Sequence, residues 1–235
     1  MLIWRTTVIV MIVWSLGLLR SVPMRALAYT LPLPITVVLL TLREPVTEAH
    51  IWGVLLLVLF FRLAAFVRSA GGAIGWAVLS GLALYISAAV VLPRLPTIGF
   101  WQVLALTASV LFACVALDQR NKYQTVQPDD NLWDIRRFLL IVASASAAAA
   151  LGGSLGVLVV TFPYSGVPLV FDARDYLPAM SRNVTVNAFS LLAFFTGMYL
   201  TQGKTSFALS LIAGWVAFAI SAILLKLVTL LLAKR

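Results

Sequence analysis

The chain has 235 residues, 62% of them hydrophobic and 11% charged, with a mean hydropathy of +1.04. An ordinary soluble domain is nearer half apolar and a quarter charged, so this composition excludes a water-soluble globular fold and makes lipid the solvent. The net charge is +9, from 17 Lys and Arg against 8 Asp and Glu, but the basic residues sit mostly in short loops between apolar runs, where they set topology, so no nucleic-acid partner is expected.

Read against the roughly 20 residues that cross a bilayer, nine apolar runs follow one another. They are residues 6–19, 27–42, 51–67, 72–92, 99–117, 138–151, 153–171, 185–201 and 206–225. The first resembles a signal sequence. With one Arg and no convincing cleavage site, it reads as a retained helix. The second contains Pro32 and Pro34, and the seventh Pro163 and Pro168; each is either a kinked spanning helix or a re-entrant segment. The fifth contains the only cysteine, Cys114, which rules out an intrachain disulfide and a thiol-rich metal site. Between the fifth and sixth runs lies a polar loop, 118–137. No polar stretch is long enough for a soluble domain, so 1–235 reads as one membrane domain.

Loop charges decide between the topologies. If all nine runs span and the N-terminus is outside, eleven basic residues face the cytoplasm: Arg20, Arg25, Arg68, Arg120, Lys122, Arg136, Arg137, Arg174, Arg182, Lys234 and Arg235. Four face outward: Arg5, Arg43, Arg94 and Lys204. If the two proline runs do not cross, the split is about eight to seven. The positive-inside rule favours nine spans, N-out and C-in, in a cell inner membrane.

The two halves share a spaced pattern. Thr30-Leu31-Pro32 and Arg43-Glu44 recur as Thr161-Phe162-Pro163 and Arg174-Asp175 at an offset of 131. Gly81, Tyr85 and Ala89 recur as Gly214, Phe218 and Ala222 at 133, Phe60-Phe61 as Phe194-Phe195 at 134, and Arg5 as Arg137. The expected fold is an all-α polytopic membrane protein with a 4+1+4 plan. Repeat 1 covers 1–94, a linker helix and cytoplasmic loop 95–136, and repeat 2 137–235. One odd helix between repeats inverts the second, a plan common among secondary transporters.

The second repeat, about 137–226, resembles the GlpM-like family of small bacterial inner-membrane proteins. The likeness is carried by Thr161-Phe162-Pro163, basic Arg174 and Arg182, the small-polar helix 187–199, and a last helix with Trp215 in its middle. The resemblance implies a small inner-membrane protein of transporter type. The chain departs from that family in length and in having Leu31-Pro32 where the second repeat has Phe162-Pro163.

Candidate pathway residues follow from what lipid penalises. Pro32 and Pro163 each free a backbone carbonyl, and Tyr164 and Ser165 add hydroxyls beside the second break; a packing kink is the structural alternative. Arg43 and the Arg174-Asp175 pair stand just beyond apolar ends, as charges at pathway mouths or as interfacial anchors. Arg62 is well inside a run: it either faces a cavity or a carboxylate, which would suit an anionic or lipid-phosphate ligand, or it snorkels to the interface. Asn187, with Ser190, Thr196 and Thr201, puts polar groups on the eighth run, for a pathway or for interhelical hydrogen bonds. His50 is the only histidine, and no nucleophile elbow, phosphate loop or metal spacing occurs. Catalytic residues, cofactor and metal are therefore not expected, and a lipid-modifying enzyme ranks last. The leading expectation is a small transporter or channel-like protein of unknown substrate, an anion or a lipid-linked ligand, in contact with membrane lipids. The alternative is a non-transporting integral subunit or scaffold of a larger membrane complex. Expected protein partners are a second copy of the chain or that complex.

Overall fold

A computed structural model describes residues 30–94, 96, 98–118 and 166–233. Among these it is all-helical, with no strand. Helix α1, Leu33–Leu42, begins after a break at Leu31-Pro32, and the Pro32 carbonyl accepts from the Thr36 amide at 2.7 Å. At ~1.5 Å per residue, ten residues reach about half of the hydrocarbon thickness. It stops at Arg43, whose left-handed φ of 52° lets its amide cap the Leu39 carbonyl.

Helix α2, Glu48–Ser69, follows Thr47 and carries Glu48 in its first turn and Arg68 in its last, charges that complement the helix dipole. The next turn passes through Gly71 at φ 86°, a backbone conformation that suits glycine, into α3, Ile74–Val91, and a 3-10 turn, Leu92–Arg94. Helix α4, Phe100–Asp118, starts where the Gln102 side chain accepts from the Gly99 amide. A short α5, Gly166–Asp172, turns into α6, Leu177–Thr201, which has Pro178 in its opening turn where no amide is needed. A second glycine turn, Gly203 at φ 78°, leads to α7, Phe207–Ala233.

Five helices are long and apolar enough to cross a membrane: Glu48–Ser69, Ile74–Arg94, Phe100–Asp118, Leu177–Thr201 and Phe207–Leu231. That is the make-up of a multi-pass membrane protein. They correspond to the third, fourth, fifth, eighth and ninth expected runs. The first and sixth runs lie outside the described residues, and the second and seventh are described only from residues 30 and 166.

Helices α2 and α6 form the centre: 61% and 50% of their most apolar stretches are buried, against 22–28% for α3, α4 and α7. They run antiparallel. At one end the Gln202 side chain accepts from the Val46 amide (2.7 Å) and donates to its carbonyl (2.8 Å); towards the other, Arg62 meets Thr185. Each central helix pairs with the helix that follows it through a glycine. A Cβ on Gly81 would lie 2.6 Å from the Phe60 ring and 3.1 Å from its carbonyl oxygen; one on Gly214 would lie 2.9 Å from the Phe194 carbonyl oxygen. Such close approach is how membrane helices gain dispersion contact, since lipid gives no hydrophobic drive between them. Helix α4 lies against both central helices, with Phe100 stacked on Tyr199 at 3.7 Å.

Candidate functional site

Arg62 lies seven residues before the end of α2, ~10 Å along the axis from Ser69. A cation at that depth needs a partner. Its Nη1 donates to Asp118 Oδ1 at 2.8 Å and its Nη2 to Asp118 Oδ2 at 2.5 Å, so the guanidinium grips the carboxylate with both limbs. Nε and Nη2 also donate to Thr185 Oγ1, at 3.0 and 2.9 Å. The Thr185 hydroxyl in turn donates to the Ser181 carbonyl at 2.8 Å. Three helices are tied by one guanidinium: α2 supplies the cation, α4 the anion at its last residue, and α6 the hydroxyl. The Asp118 side chain is 6% exposed and that of Arg62 23%. Charge-assisted, two-pronged bonds of this kind are the strong members of their class.

Asp118 is a correction to the sequence reading, which placed it on the polar loop. It belongs to a helix and is buried. Thr185 was not singled out, while Asn187 was; two residues apart on a helix, they point about 200° away from each other, and Asn187 is only half-buried. The signal that could have found the pair is accounting: a deep Arg requires a carboxylate, and few acids border an apolar run.

The other expected site residues do not join this cluster. Pro32 is buried at the start of α1, and Arg43 is exposed at its end. Arg174 and Asp175 are exposed on the turn before α6, 3.4 Å apart. Arg68 reaches the Arg174 carbonyl at 3.3 Å, placing that turn at the same end of the bundle as the end of α2. Pro163, Tyr164 and Ser165 lie outside the described residues. The Trp215 indole donates to Thr36 Oγ1 at 3.1 Å, fixing α1 against α7.

A second buried polar group sits near the opposite end. The His50 Nδ1 accepts from the Thr47 amide at 3.1 Å, so the neutral ring carries its proton on Nε2. Nε2 is buried and has no hydrogen-bond partner among the described residues; the ring packs on Phe195 at 5.2 Å. Among the described residues no cluster of three or more His, Cys, Asp or Glu could hold a metal.

Among the described residues the Arg62 cluster joins three helices through charge-assisted hydrogen bonds. No family model matches the chain, and comparison with curated proteins and with solved structures returned no match.

Proposed function

We propose that the chain is a small inner-membrane transporter or channel-like protein for an anionic substrate, built from two inverted four-helix repeats, 1–94 and 137–235, around a linker, 95–136. The observation that carries the reading is Arg62, a planar cation held within a helical bundle by an internal carboxylate. Asp118 occupies the fork that an anion would take, and a substrate carboxylate, phosphate or halide would exchange with it. The inverted plan is supported by the antiparallel course of α2 and α6 and by contacts that pair at the sequence offset: Phe60 with Gly81, Phe194 with Gly214. The end bearing Arg62, Arg68, Arg174, Arg182 and Lys226 has five described basic residues, against Arg43, Arg94 and Lys204 at the other. That imbalance favours the first end as cytoplasmic, with the N-terminus outside.

The test is flux by the purified protein alone. Liposomes loaded with potassium chloride, or with potassium phosphate, are opened to potassium by valinomycin and anion release is followed. Wild type should release at least one anion. Arg62→Lys should release neither, because lysine lacks the fork, and Asp118→Asn should change the rate while the protein stays monodisperse. Absence of flux with a panel of small inorganic and carboxylate anions rejects the proposal.

A second reading has its own support. The Arg62 fork is already filled by Asp118 and Thr185, which suits a static staple in a non-transporting subunit. A stoichiometric membrane partner on mild purification, together with no flux alone, would favour it.

A further inference from the structure

We propose that the outer surface of the α6–α7 pair is a binding site for one anionic phospholipid, with an acyl chain in an apolar groove and the phosphate on Arg182. The groove has a volume of about 560 Å³ and is lined by Phe189 and Ala193 on α6 and by Ala217, Ser221, Leu224 and Val228 on α7, among others. That is the size of an ordinary small-molecule site, but its wall is almost wholly apolar and it opens on the face of two membrane-length helices. At bilayer depth the occupant of such a groove is hydrocarbon.

Arg182 makes the site selective. It stands seven residues before Phe189 and eleven before Ala193, two and three helical turns away on the same stripe of α6. The Ser190 and Ser221 hydroxyls lie 3.5 Å apart and set the register of the antiparallel pair. Counting seven residues from each puts Val228, the last groove residue on α7, level with Asn183, beside Arg182. The cation therefore stands where the groove reaches the end of the bundle. Helical side chains lean towards the N-terminus, so its guanidinium extends to headgroup level. Arg62, Arg68 and Arg174 each have a partner, whereas half-buried Arg182 has no hydrogen bond or ion pair among the described residues. An unpaired guanidinium above an apolar slot is complementary to a lipid phosphate joined to its chain. This inference does not rest on the transport reading.

Native mass spectrometry of the full chain, released from detergent micelles holding phosphatidylglycerol or phosphatidylcholine with identical acyl chains, reads the site. Wild type should keep one phosphatidylglycerol at concentrations where phosphatidylcholine is lost. Arg182→Gln removes charge-assisted hydrogen bonds and should weaken that retention about tenfold or more, leaving the packing untouched. Ala193→Phe fills the slot and should weaken retention of both lipids with Arg182 in place. Inorganic phosphate at 10-fold excess over lipid should not displace the bound lipid. Equal retention of the two lipids by wild type, wild-type retention by folded Arg182→Gln, or displacement by inorganic phosphate overturns the proposal.

Discussion

Replacing Asp118 by Asn removes a charge and keeps the shape. The amide retains one acceptor for Arg62 and turns an NH₂ towards the other limb of a guanidinium whose two limbs now each hold one carboxylate oxygen, at 2.8 and 2.5 Å. Removing one partner of a fully buried pair costs about 3–5 kcal/mol. Here the cost is lower, because Arg62 is 23% exposed and keeps both bonds to Thr185; we expect roughly 2–3 kcal/mol. For a chain of this length each kcal/mol moves the midpoint by about 2–4 °C, so the loss should be about 4–12 °C. Cys114, partly buried on α4 beside the site, is a built-in probe: a thiol-reactive dye reports unfolding in detergent as it becomes accessible. The double variant Arg62→Met with Asp118→Leu should be more stable than Asp118→Asn alone, since no charge is stranded. A midpoint for Asp118→Asn within 1–2 °C of wild type, or a double variant less stable than Asp118→Asn, would refute the reasoning.

Gly81→Ala and Gly214→Ala should each destabilise by about 1–3 kcal/mol by overpacking, because the new methyl meets Phe60 or Met198 at 2.6 Å; Gly75→Ala, with open space around it, should be neutral in the same melt. Gln202→Ala breaks two hydrogen bonds to Val46 and should cost about 1–3 kcal/mol, read as faster proteolysis of the segment between α1 and α2. In a Cys114→Ser background, cysteines at exposed Glu44 and Asp175 should label with an impermeant thiol reagent from opposite sides of the membrane. Labelling from one side contradicts the inverted arrangement.

The apolar runs announced the five long helices because a bilayer imposes their length. Their ends were less legible. The eighth run was read from Thr185, yet α6 begins at Leu177, since Pro178 starts a helix cheaply and Met180, Ser181 and Val184 are buried against neighbours that sequence cannot name. Arg62 was visible as a deep charge from its flanking Phe60, Phe61 and Leu63. Its partners were not, because Asp118 and Thr185 become its neighbours only through the relative register of three helices. His50 shows the same limit: a lone histidine outside an apolar run carries no local sign that burial on Phe195 awaits it.

The glycine contacts make each helix pair a lever. A methyl on Gly197 would touch the Ala213 carbonyl oxygen at 2.9 Å, so α6 and α7 meet nearly backbone to backbone, and Gly81 brings α3 onto Phe60 in the same way. Surfaces this close have no slack, because a slide of an ångström either collides or opens a void too small for lipid to fill. The seam between the levers is of another kind. There α2 meets α6 through side chains, Arg62 on Thr185 towards one end and the Gln202 amide on the Val46 backbone at the other, with the His50 ring packed on Phe195. A relative shift of the two pairs would therefore be taken up by side-chain torsions at that seam, since the glycine contacts within each pair leave no room for one.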